Sequence, residues 1–236
     1  THGELIEKPQ YLYLRIAVGI HHPDINAVVH SYKRLARGEY SHASPTMFNC
    51  ALKDGQLASC FLVAMKDDSL EGIFDTMKQT AMISKTAGGI GLHVSNVRAA
   101  GTHIAGTGGK STGLVPMLRV FNNISQYVDQ GGRRPGSIAI YVEPWHRDVE
   151  SFIQLRQNVG AEETRARSLF LALWVSDIFM QRVVHDASWT LFCPTEAPGL
   201  SDVYGDDFEE LYTSYEDKGL GKQISARKLW NSIVEL

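Results

Sequence analysis

The 236 residues carry 23 lysines and arginines against 26 aspartates and glutamates, a net charge of −3 that gives no sequence-wide attraction for nucleic acid. A hydrophobic share of 44% and a charged share of 21% are those of an ordinary globular protein, with no apolar run near the roughly 20 residues that span a bilayer. The three cysteines, Cys50, Cys60 and Cys193, are too few and too scattered for a secreted disulfide framework, which predicts a reducing, cytoplasmic compartment.

Residues 9 to 37 read as two helices: Tyr11, Leu12, Leu14, Ile16, Ala17 and Ile20 make one apolar face, Pro23-Asp24 opens the second helix and Gly38 ends it. From residue 57 the pattern alternates. Strands are predicted at 60–65, 91–97, 137–142, 169–175 and 188–193, and helices at about 69–86, 112–129, 146–157 and 177–185, then 206–218 and 225–236. Near-continuous apolar strands separated by helices predict a parallel sheet covered by helices. The chain starts at Thr1 and stops at Leu236 inside an amphipathic pattern, and so reads as a fragment of something longer.

Several short segments carry chemistry. Cys60 opens an apolar strand beside a polar neighbour, Ser59, although a lone strand cysteine is more often a small buried hydrophobe. Asp67-Asp68-Ser69 precedes a helix, where a carboxylate or hydroxyl caps free N–H groups and Asp68 is also placed to hold a ligand hydroxyl. Along that helix Leu70, Ile73, Phe74, Met77, Ala81 and Ile83 form a face broad enough for a core and a partner. Lys85 and Arg98, on neighbouring junctions near Asp68, are candidates to clamp a triphosphate. Gly109-Lys110-Ser111 looks like the end of a P-loop, but Ile104 stands where its first glycine belongs, so a glycine loop with a helix cap at Ser111 or Thr112 is expected. Cys50 and Cys193 have no His or Cys at metal-ligand spacing, so no metal site is expected from side chains. His42 has nothing to orient it as a base, and Pro144-Trp145-His146 reads as a helix start.

Taken together, the segments resemble the large, catalytic subunit of class I ribonucleotide reductase in its eukaryotic-like form. The likeness rests on His42-Ala43-Ser44-Pro45-Thr46, Leu57-Ala58-Ser59-Cys60-Phe61, Met65-Lys66-Asp67-Asp68-Ser69 and Ser84 to Gly91. It continues through Gly113 to Arg119, Tyr127 to Gly132 and Glu143-Pro144-Trp145-His146. The resemblance implies a five-stranded parallel half of a ten-stranded α/β barrel over 57–236, preceded by a helical segment over 1–56. It implies reduction of ribonucleoside diphosphates to 2′-deoxyribonucleoside diphosphates by radical and dithiol chemistry. Cys60 takes the role of a redox thiol; Ser44, Ser59 and Gly89 would contact substrate. A deoxynucleoside triphosphate or ATP effector, with Mg2+, would meet Asp68, Ser69, Leu70, Lys85, Arg98, Ala105 and Gly106. Gly131, Gly132, Arg133 and Arg134 match the loop that relays effector identity, here one residue shorter than the Gly-Gly-x-Lys-Arg-Pro-Gly form. The resemblance further implies a homodimer, a separate radical-generating small subunit, and thioredoxin or glutaredoxin as reductant.

The family's Asn-x-Cys-x-Glu motif, with the radical cysteine, does not occur in these residues, nor does the second redox cysteine. The fragment alone is therefore expected to be inactive. Two rivals stand beside this reading. A nucleotide-sensing module without chemistry would bind effector indifferently to Cys60→Ser, and another thiol or radical enzyme on a related half-barrel would lack deoxynucleotide binding at Asp68.

Overall fold

The computed structural model describes residues 7–53, 55–86, 88–128 and 136–235. The helical segment comes first. Helix α1 (Pro9–His21) starts with proline at a position that needs no N–H, and α2 (Ile25–Ala36) is capped by Asp24, whose carboxylate accepts from Ala27 N–H at 3.0 Å. The two helices enclose Ile16 and Leu35 with Cys50, which follows a short helix α3 (Ser44–Asn49). Sequence periodicity misses α3 because its six residues are too few to show a period.

Four strands, β1 (Cys60–Ala64), β2 (Gly89–His93), β3 (Ile138–Val142) and β4 (Phe170–Leu173), form one parallel sheet in chain order. Helix α4 (Leu70–Lys85) and helix α5 (Leu114–Tyr127) carry the first two crossovers. Alternation along each strand gives the sheet two unlike faces. On one face Val63, Ile90, Leu92, Ile138, Ile140 and Val142 are buried against Met77, Leu118 and Phe121 from the helices. Each such side chain contributes roughly 1.5–3 kcal/mol on leaving water. The other face presents Cys60, Leu62, Gly89, Gly91, His93 and Tyr141, and Leu62 is 91% exposed there.

This is the expected α/β partial barrel behind a helical segment, with one correction. The fifth predicted strand, β5 (Ser188–Leu191), is not in the parallel sheet; it pairs antiparallel with β6 (Lys222–Ser225). Only just past its end does Phe192 bridge in the parallel sense to His146, donating to Trp145 O at 2.7 Å and accepting from Arg147 N at 2.8 Å. The buried run of β5 announces a strand but not its partner, and β6 is short and polar.

A second core holds β5 and β6 against α7 (Asp177–Val184), α8 (Gly205–Asp217) and α9 (Ala226–Val234). Trp189 is its centre: its ring stacks on Tyr212 at 4.4 Å and its indole N–H donates to Pro144 O at 3.0 Å. That bond ties this core to the segment leaving β3. The predicted helix at 146–157 begins later than expected, as α6 (Val149–Ile153), because His146 bridges to Phe192 and residues 147–148 form a turn.

Candidate functional site

Two sites lie at opposite ends of β1. At its start, Cys60 is an exposed free thiol on the open face of the sheet. The register sets Gly89 directly across from it, and Gly89 N–H donates to Ser59 O at 2.8 Å. A side chain begun at Gly89 would put its Cβ 3.9 Å from Cys60 Sγ and 3.6 Å from Ser59 O. Glycine therefore leaves the space in front of the sulfur open for a ligand. Ser44 is exposed at the start of α3, which is tied beside β1 by Thr46 Oγ1 to Leu57 O (3.2 Å) and Asn49 Nδ2 to Gln56 O (2.8 Å). Cys50 is unlike Cys60: it is buried in the helical segment, its Sγ 3.6 Å from Ile16 O. Farther along the open face His93 Nε2 meets the buried carboxylate of Glu143 at 3.3 Å.

Beyond the C-terminal end of β1 lies a cavity of about 580 Å³ between α4, α5 and the loop after β2. Among the effector residues implied above, Asp68, Ser69, Leu70 and Arg98 line it. Ser69 is the helix cap, its hydroxyl accepting from Gly72 N–H at 3.0 Å, which frees Asp68 for another partner. That partner is Arg98, whose Nε donates to Asp68 Oδ2 at 2.6 Å and whose Nη2 reaches Asp68 O at 3.3 Å. The pair leaves a fixed carboxylate and a fixed guanidinium side by side, with apolar Leu70, Phe74, Pro116 and Met117 among the other wall residues. Such a mixture suits a base or sugar on the apolar side and phosphates at the cation.

Lys85 is not brought to this cavity within the chain. It is exposed at the far end of α4, about 22 Å along the axis from Leu70. Ala105 and Gly106 are exposed in the turn next to Ile104, which does line the cavity. Gly131, Gly132, Arg133 and Arg134 lie outside the described residues. Lys110, read in the sequence only as part of a P-loop look-alike, lines the cavity as a second cation, on the same loop after β2 as Arg98. It arrives there because residues 101–111 fold back as a hairpin, with Gly101 N–H on Ser111 O and Ser111 N–H on Thr102 O, both at 2.8 Å.

The loop is held by Asp148, which the sequence did not mark, and by His146 and Cys193, whose part in it carries no local signal. Ser111 and Thr112 are not the helix cap; α5 starts after Gly113, and Asp148 accepts from Leu114 N–H at 2.9 Å. The same carboxylate accepts from Ala100 N–H at 3.1 Å. His146 is fully buried, takes Asp148 N–H on Nδ1 (3.1 Å) and donates from Nε2 to Val97 O (2.8 Å). Burial holds its pKa below the usual histidine range, so the ring is neutral. Cys193 Sγ lies 3.4 Å from Ala99 N and 3.2 Å from Thr102 Oγ1.

Two family models match the chain: the ribonucleotide reductase all-alpha domain over residues 1–55 and the ribonucleotide reductase barrel domain over residues 58–236. The chain belongs to the ribonucleotide reductase family. It is 57% identical over 234 residues to the ribonucleoside-diphosphate reductase large chain 2 of Saccharomyces cerevisiae, covering 99% of this chain and 27% of that protein. It is 57% identical to the large chain of Neurospora crassa (99% and 25%) and 54% identical to the large subunit of Arabidopsis thaliana (98% and 29%). The chain thus spans under a third of the length of these reductase relatives, and the match runs across both the thiol mouth and the cavity.

Proposed function

We propose that this chain supplies one redox thiol and the effector pocket of a ribonucleoside-diphosphate reductase large subunit, with residues 1–56 closing the helical domain and 57–236 forming the first half of the barrel. The observation that carries the reading is Cys60 at the mouth of β1, facing a bare glycine on the next strand. In the reaction the 2′ C–O bond of a ribonucleoside diphosphate breaks, a C–H bond forms and the hydroxyl leaves as water. Cys60 and a second cysteine are oxidised to a disulfide, which thioredoxin or glutaredoxin then reduces. Radical chemistry at the neighbouring carbon comes from a separate small subunit. Ser44, Ser59 and the backbone at Gly89 hold the substrate beside the sulfur.

The cavity at Asp68 and Arg98 takes a deoxynucleoside triphosphate: Asp68 and Ser69 toward the sugar, Arg98 and Lys110 toward the phosphates. Asp68 is engaged by Arg98 and Asp67 by Ser69, so Mg2+ would arrive on the phosphates rather than on a carboxylate cage. Leu70 and Phe74 of α4 are 77% and 60% exposed beside this cavity, and α5 presents Val120 and Tyr127. These apolar residues support a two-fold dimer with effector bound at its edge, in a cytoplasmic enzyme. Turnover and nucleotide binding of full-length Cys60→Ser test the reading: sustained turnover should vanish while effector binding stays.

A further inference from the structure

Arg98 lies within a short stretch whose backbone is fastened on both sides. Before it, Val97 O accepts from buried His146; after it, Ala99 N–H meets Cys193 Sγ and Ala100 N–H meets the Asp148 carboxylate. The other end of the same loop, at Leu114, is held by the same carboxylate. Asp148 therefore fastens both ends of the hairpin that carries Lys110 into the cavity. The approach is so close that a Cβ at Gly113 would fall 2.3 Å from Asp148 Oδ2 and 2.7 Å from Ala100 N, and Gly113 has φ +78°. Only glycine fits there without moving the carboxylate or the backbone. Asp148 is largely buried, and its hydrogen bonds reach backbone amides rather than a cation among the described residues.

We propose that Asp148 is a positioning residue for the nucleotide pocket, setting the distance between Arg98 and Lys110 by holding Ala100 and Leu114 on one carboxylate. The proposal rests on reading that cavity as a triphosphate site. It touches no ligand itself. Its physical content is that a phosphate chain needs two cations at a fixed separation: the Gly101–Ser111 and Ser111–Thr102 backbone bonds close the hairpin on itself, and the Asp148 carboxylate anchors both of its ends to the body of the barrel.

The test measures binding of thymidine triphosphate with magnesium to the full-length protein by calorimetry, in wild type, Asp148→Asn, Asp148→Ala, Arg98→Ala and the Arg98→Ala/Asp148→Ala double variant. Asp148→Ala should raise Kd about tenfold or more, and Asp148→Asn, which keeps one oxygen before both amides, should raise it less. In the Arg98→Ala background the added effect of Asp148→Ala should shrink to about twofold, since there is no longer an arginine to misplace. A lower melting temperature with wild-type Kd in Asp148→Ala would make the residue structural only and overturn the proposal. Unchanged Kd in Arg98→Ala would instead remove the pocket reading, and this proposal with it. If the Asp148 variants do not fold, amide exchange in the wild type decides: bound nucleotide should slow exchange at Ala100 and Leu114, and no change at either would overturn the clamp.

Discussion

Cys60 and Gly89 stand opposite each other on the first two strands, and the sulfur lies 3.9 Å from the point where a side chain at Gly89 would begin. That distance is an ordinary van der Waals contact, so Gly89→Ala should fold normally yet narrow the space in front of the thiol. In the full-length enzyme kcat/KM is expected to fall roughly tenfold, about 1.4 kcal/mol. Steady-state kinetics together with a melting temperature within a few degrees of wild type would bear this out; unaltered kcat/KM would show that substrate does not pass Gly89.

Arg98 offers a second prediction. Its guanidinium is fixed by Asp68 and lines the cavity, so Arg98→Ala should weaken triphosphate binding by roughly 1.5–3 kcal/mol. Lys110→Ala should weaken it less, with a shallower dependence on salt than wild type, because an exposed lysine acts as a screened point charge. Calorimetry at two ionic strengths separates the two.

Assembly can be probed at Phe74, which is exposed on α4 beside the cavity. A charge placed there, as in Phe74→Glu, should leave the core intact and disfavour the two-fold dimer. Light scattering with saturating effector is expected to show a monomer for this variant and a dimer for the wild type. A wild-type protein that stays monomeric would remove the interface.

His146 predicts a pH dependence of stability. Burial keeps the folded pKa below the unfolded value of about 6.5, despite the Val97 carbonyl and the nearby Asp148 and Glu143 charges; Arg147 acts in the same direction as burial. Below about pH 6.5 the unfolded chain takes up a proton that the folded chain refuses. Stability from this residue is therefore full above that pH and is lost as pH falls toward the folded pKa. Denaturant midpoints should drop between pH 7.5 and 5.5, and His146→Gln should flatten the slope. An unchanged slope in that variant would place the dependence elsewhere.

The sequence carried the parts of the fold that periodicity encodes. The positions of β1 to β4 and of α4 are legible because near-continuous apolar runs and a 3.6-residue stripe are local patterns, whereas the face each leaves open is not, as Leu62, Leu70 and Phe74 show. The antiparallel partner of β5 was not, since Lys222–Ser225 is brief and the pairing is remote. The same holds at the sites. Cys60 and Asp68 stand out locally and take their roles from the family resemblance, whereas the contact of Cys60 with Gly89 depends on register. Asp148 carries no sequence signal because its amide partners are 34 and 48 residues away, and no local pattern marks a carboxylate that caps a helix from that distance. Lys85 is near Asp68 in sequence logic, but within the chain the full length of a rigid helix separates the two.

The most direct test of the central claim is multiple-turnover reduction of a ribonucleoside diphosphate by the full-length protein carrying Cys60→Ser, with its radical-generating small subunit and a dithiol reductant. Sustained product formation should be abolished, with substrate and effector affinities near wild type, and the wild type stopped without reductant should yield a disulfide that contains Cys60. Wild-type turnover in Cys60→Ser would contradict the assignment of Cys60 as the redox thiol.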